Sequence, residues 1–158
     1  MDELTTVKRF YDLLASGDNA AALALLHPGI EWTEAERTPY FAGTICGVDA
    51  VVAGLFEPLA HDFEDFTTVP SDFLDNGSRV ASFGRYAGMA KSTGRAMSAP
   101  FVHLWTVEEG RLRRFTQFTD SAAWNEALAI NDHQTPAFDP QAPRNQIPKN
   151  PQNVGSTT

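Results

Sequence analysis

The sequence predicts an α+β domain, a curled antiparallel sheet with helices gathered on one face. Three observations carry this reading. Apolar residues recur at helical spacing near the N-terminus, a long central stretch alternates between turn signals, and most helical segments precede the strands. A chain of 158 residues is long enough to bury one substantial core.

Leu4, Val7, Phe10, Tyr11 and Leu14 mark one face of a first helix, which "SGD" closes with Gly17 at the C′ position. Asp18 is placed to cap a second short helix, "NAAALALL", ended by His27-Pro28. "GIEWTEAE" alternates, so a strand there sets Ile30, Trp32 and Glu34 on one side. "TPYFAGTICG" reads as a loop, and "VDAVVAGLFEPLA" as a third helix stopped near Pro58. Three turn signals, "DNGS", "STGR" and "EEGR", then divide a four-stranded antiparallel meander. Pro70 predicts an edge position or a bulge in its first strand. Asp120 or Ser121 starts a last helix, "SAAWNEALAI". Residues 133–158 hold half of the chain's 10 prolines and no apolar periodicity. The domain is therefore read as 1–132, followed by an extended proline-rich tail, unless Phe138 and Ile147 dock on the body or on a partner subunit.

One strand, "FVHLWTV", carries His103 in an apolar run, and hairpin register decides which way it points. A three-residue Glu108-Glu109-Gly110 loop with a glycine bulge pairs His103 with Phe115 and Phe101 with Gln117. A two-residue Glu-Gly loop pairs His103 with Thr116, but such loops prefer Asn-Gly or Asp-Gly. A Ser92-Thr93-Gly94 loop on the other side pairs Arg85 with Phe101 and Phe83 with His103. One face then carries Phe83, Arg85, Phe101, His103, Phe115 and Gln117, aromatics around three polar groups, which reads as a pocket. The opposite face carries Tyr86, Val102, Leu104 and Phe118 and is also apolar, so a second subunit is expected to cover it, making a homodimer.

Composition excludes several function classes. A net charge of −8 leaves no basic stripe for nucleic acid. No apolar run approaches the roughly 18 residues of a membrane span, and the acidic N-terminus lacks the basic region of a signal peptide. A single cysteine, Cys46, forms no internal disulfide; a soluble, cytoplasmic domain is expected. The four histidines are scattered without ligand spacing, and no phosphate-binding glycine loop occurs, so neither metal nor cofactor is expected.

"VKRFYDLLASGD", "GIEWTE", "PYFAGTICGVDAV" and "HLWTVEEGRLRRFTQFTD" together resemble the SnoaL-like, ketosteroid-isomerase-like branch of the nuclear transport factor 2 (NTF2) superfamily, from about Leu4 to Ile130. The resemblance implies a cone in which a curved antiparallel sheet wraps the N-terminal helices around an internal apolar pocket, commonly dimeric through the sheet. In ketosteroid isomerase a carboxylate base moves a proton while a tyrosine and a protonated aspartic acid hold the enolate oxygen. By resemblance the base falls on Glu34, the acid near His103 and the tyrosine on Phe10. Tyr11, one residue on, is set about 100° away around the helix. A steroid isomerase is therefore disfavoured. The arginine of limonene-epoxide-hydrolase-like members falls on Arg85, but their two acids fall on Ala87 and Gln117, so that mechanism is not expected. SnoaL-type cyclases need little more than one acid/base group in an apolar cavity.

Glu34 and His103 are thus the candidate catalytic pair, with Trp32, Tyr40, Phe83, Arg85, Phe101, Phe115 and Gln117 as candidate substrate contacts. The expected ligand is a small hydrophobic carbonyl compound undergoing isomerisation, cyclisation or dehydration. The other class kept open is a non-catalytic binding or interaction module.

Overall fold

The structure is a computed structural model and describes residues 2–131. The proline-rich tail lies outside the described residues.

Helix α1 (Glu3–Ala15) starts at Asp2, whose carboxylate accepts the Thr5 N–H at 2.7 Å. It ends at Gly17, left-handed at φ 77°, with the Asp18 and Gly17 N–H groups returning to Leu13 and Leu14. Val7, Phe10 and Tyr11 are buried, the core-facing stripe that their spacing required. Helix α2 (Asn19–Ala24) is capped by Asp18. It stops before Leu26 because His27-Pro28 is already part of strand β1 (Leu26–Thr33).

The segment expected to be a loop contains a short strand, β2 (Thr44–Cys46), which pairs antiparallel with β1. The third helix does not stop at Pro58. It runs as α3 (Val48–Val51), a π-helical turn (Val52–Phe56) and α4 (Glu57–Asp62). Proline has no N–H for the carbonyl four residues back, and the widened turn just before it accommodates that gap. Strands β3 (Phe63–Asp75), β4 (Val80–Ala90), β5 (Ala96–Glu108) and β6 (Arg111–Thr119) form the expected meander, and α5 (Ser121–Ala127) follows, capped by Asp120.

The six strands lie in the order β2-β1-β6-β5-β4-β3. All neighbours are antiparallel except β1 and β6, which are parallel, so the sheet is mixed rather than purely antiparallel. Register shifts between Glu64 and Thr67 and between Pro70 and Asp72 in edge strand β3, and at Arg113 of β6 opposite Thr106 and Val107, bend the sheet around α1. The concave side holds the core: Val7, Phe10 and Tyr11 of α1 meet Trp105, Leu112 and Phe115 of the sheet. No helix among the described residues is long and apolar enough to cross a membrane.

Both hairpin registers differ from expectation. The β5–β6 loop has two residues, Glu109 and Gly110, both left-handed at φ 52° and 72°. The shift opposite Thr106 and Val107, where Arg113 is the extra residue, adds a second residue in the same direction, so His103 pairs with Gln117, Trp105 with Phe115 and Phe101 with Thr119. The net displacement is two residues, which leaves the faces unchanged. The β4–β5 loop has four residues, Lys91 to Gly94, closed by the Ala90 N–H on the Arg95 carbonyl at 2.9 Å. There the displacement is odd: Ser82 pairs with His103, Gly84 with Phe101 and Tyr86 with Ala99. Every β4 side chain therefore changes face.

Candidate active site

The concave side encloses an aromatic cavity of about 50 Å³. Trp32 and Glu34 reach it from β1 and the residue after it, His103 and Trp105 from β5, Phe115 and Gln117 from β6. Tyr11 of α1 and Tyr86 of β4 complete its polar end. A wider vestibule of about 360 Å³ lies outside. Leu14, Phe56, Leu59, Phe66 and Thr68 border both spaces and form the wall between them.

Glu34 is 5% exposed. Its Oε1 accepts the Trp32 indole N–H at 2.7 Å. Burial raises its pKa from the ordinary carboxylate value to about 7, against the opposing pull of the Trp32 indole and the Gln117 amide. Gln117 is itself fixed: its Oε1 accepts the Ala35 N–H at 3.0 Å and its Nε2 donates to the Tyr86 hydroxyl at 2.8 Å.

His103 is 3% exposed and lies between two tyrosines. Its Nδ1 is 2.6 Å from the Tyr11 hydroxyl, and its Nε2 is hydrogen-bonded to the Tyr86 hydroxyl. The Tyr11 hydroxyl is also 2.6 Å from Ser82 Oγ, and the Trp105 indole N–H donates to both at 3.1 Å. Burial pushes the His103 pKa well below its ordinary value, so the imidazole is neutral. Burial likewise raises both tyrosine hydroxyls. Phe101 stacks on the imidazole at 4.0 Å and closes the site from behind.

The arrangement can support proton chemistry: it holds one carboxyl group with its pKa raised to about 7, a chain of neutral hydroxyls and an imidazole, and aromatic walls. Among the described residues no group of three or more His, Cys, Asp or Glu could hold a metal ion.

A family model for SnoaL-like domains matches residues 7–115. The chain belongs to the SnoaL-like family. No curated protein matches this SnoaL-like chain in sequence. An NTF2-like protein from Burkholderia thailandensis of solved structure is 32% identical, over 78% of this chain and 95% of that one, with a TM-score of 0.74. Two more distant structures share the fold. A candidate SnoaL-like polyketide cyclase from Jannaschia is 20% identical over 81% of this chain and 92% of that one, TM-score 0.66. A candidate isomerase from Bacillus subtilis is 15% identical over 81% and 93%, TM-score 0.67.

The SnoaL-like cone brings together Glu34, His103, Trp32, Phe115 and Gln117 at the cavity, with Phe101 behind them. Three candidate contacts fall elsewhere. Phe83 and Arg85 are on the convex face, because the four-residue loop inverted β4; Arg85 is exposed there, with its Nε on Ser98 Oγ at 2.9 Å. Tyr40 is half-buried beside the cavity, not on its wall, and donates to Asp62 at 2.8 Å. Arg85→Ala should therefore change stability by less than about 0.5 kcal/mol in urea denaturation, and a larger loss would restore a structural role to it.

Three residues of the site escape sequence reasoning. The expected register turns Tyr86 to the wrong side and gives Ser82 no role, and the resemblance places the tyrosine position on Phe10 rather than Tyr11. In the SnoaL-like fold α1 lies inside the cone, and its buried stripe is wide enough to hold both rings, each 2% exposed. The signal for Tyr11 is the helical pattern itself, in which it belongs to the core face alongside Val7 and Leu14.

Proposed function

We propose that this protein is a cofactor-free acid–base catalyst acting on a small apolar carbonyl compound, with Glu34 as the general base. The observation that carries this is Glu34 itself, a carboxyl group in an aromatic cavity with its pKa raised to about 7. A base with that affinity takes a proton from carbon near neutral pH and gives it back. Glu34 removes the proton next to the carbonyl, the C–H electron pair becomes the new C=C bond, and charge moves to the oxygen. The carboxylic acid then returns the proton at the same or a conjugated carbon, or assists loss of a β-hydroxyl as water. Isomerisation, aldol-type cyclisation and dehydration all pass through this enolate. The polar cluster of His103, Gln117 and Tyr86 is the natural place for its oxygen.

The cavity's volume of about 50 Å³ favours a second reading, a binding module whose pocket is closed. Under the first reading, Phe56 and Leu59 move to join cavity and vestibule when substrate enters. Deuterium exchange at the α-carbons of cyclohexanone in D₂O, followed by NMR, separates the two. Exchange well above the buffer rate supports catalysis; exchange at the buffer rate leaves only the binding module.

We further propose a homodimer formed through the convex sheet face. Val69, Met89 and Phe118 are 57%, 42% and 54% exposed there, and half-buried Val102 and Leu104 lie on the same face. Light scattering at micromolar concentration is expected to give twice the chain mass; the monomer mass would refute this.

A further inference from the structure

We propose that Tyr86 is the hydrogen-bond donor which the cavity presents to a substrate oxygen, and that His103 is a neutral positioning residue acting through it. The buried hydrogens, followed from the far end of the network, lead to this assignment.

Ser82 is fully buried on the inner side of β4. Among the described residues its hydroxyl has two partners, the Tyr11 oxygen and the Trp105 indole N–H. An indole nitrogen only donates, so the Ser82 hydrogen has one acceptor, Tyr11. Trp105 donates to that same oxygen at 3.1 Å. The Tyr11 hydrogen then goes to His103 Nδ1, 2.6 Å away. A neutral imidazole that accepts at Nδ1 carries its hydrogen on Nε2, which donates to the Tyr86 oxygen. Gln117, pinned by the Ala35 N–H, donates to Tyr86 as well. Tyr86 therefore accepts twice, and its own hydrogen has no acceptor among the described residues. Tyr86 is one of the residues that line the cavity.

The opposite direction, with Tyr86 donating to His103, strands the Ser82 hydrogen where no ligand reaches, and an unpaired buried donor is costly. The network thus has one hydrogen too many, and it releases that hydrogen into the cavity. This selects the ligand class: an oxygen that accepts, such as a ketone or an enolate. Successive donations along Ser82, Tyr11, His103 and Tyr86 polarise the last hydroxyl. Gln117 lies against both Tyr86 and the Glu34 carboxyl, so donor and base flank one amide, as an enolisable carbonyl requires.

The direction of the network stands on hydrogen-bond geometry alone; its catalytic use rests on the function proposed above. The test is nitrogen NMR of ¹⁵N-histidine-labelled protein without ligand, the His103 signals being those absent from His103→Gln. The expected result is the neutral Nε2–H tautomer near neutral pH. The Nδ1–H tautomer, or an imidazolium, overturns the donor chain. In the cyclohexanone assay Tyr86→Phe should lose on the order of 10²-fold in exchange rate. His103→Gln, whose amide both accepts and donates, should stay within about tenfold of wild type, whereas His103→Leu loses as much as Tyr86→Phe. Wild-type exchange in Tyr86→Phe, or equal losses in the two His103 variants, overturns the roles of donor and positioning residue. Nε2–H without wild-type exchange supports the donor chain and removes the catalytic reading, whereas exchange with Nδ1–H does the reverse.

Discussion

Glu34→Gln is expected to lower cyclohexanone exchange on the order of 10²–10⁴-fold while making the protein more stable at alkaline pH. Glutamine keeps the shape and can still accept the Trp32 indole N–H, but it cannot take a proton from carbon. The wild-type rate should rise with pH through about 7, the pKa of the buried carboxyl, and the residual rate of the variant should lose that inflection. Stability moves the other way. The folded state holds the Glu34 proton up to about pH 7, whereas an ordinary carboxyl at 4.5 has already released it. Stability contributed by that proton is complete below the lower value and lost as pH rises through the upper one. The full difference is roughly 3 kcal/mol. In urea denaturation at about pH 8, Glu34→Gln should therefore exceed wild type by up to that amount, with the gap closing towards about pH 5. Equal stabilities at both pH values would mean that Glu34 ionises freely and is no tuned base. His103 works with the opposite sign: its pKa is lowered, so its stability contribution is present above 6.5 and lost as pH falls.

Gly84→Ala should cost about 3 kcal/mol, with little chance of relaxation. A Cβ at Gly84 overlaps the Val69 carbonyl oxygen and the Phe101 ring and comes within 2.8 Å of Pro70 Cα. Two of these are backbone atoms of the edge strand at its bulge, and the third is the ring stacked on His103. Gly88→Ala, four residues on, is the control. Its Cβ meets Phe66 Cδ2 at 3.1 Å, a ring-edge atom that a small rotation moves aside, and comes no nearer than 3.4 Å to Phe66 Cα. Denaturation midpoints of the two variants should differ clearly. Similar small losses would show that β3 slides on β4 and that the cavity's back wall is soft.

Much of the site could be read from local pattern. The periodicity of α1 put Val7, Phe10, Tyr11 and Leu14 on one face. Strand alternation put Trp32 with Glu34, and Phe101 with His103. The β5–β6 register was off by two residues, yet Phe115 and Gln117 still came to the right side, because a shift of two preserves parity.

What the sequence by itself determined is therefore the order of elements and the facing of every strand whose neighbours it reached by an even count. The facing of β4 was decided only in the folded sheet. Loops of three and four residues around Thr93-Gly94 look alike in sequence, and one residue of difference exchanged Phe83 and Arg85 for Ser82 and Tyr86 inside the cavity. The state of Glu34 was decided there too. A carboxyl is raised to about 7 only when aromatic walls from α1, β1, β5 and β6 exclude water from it together, and no local pattern measures that enclosure.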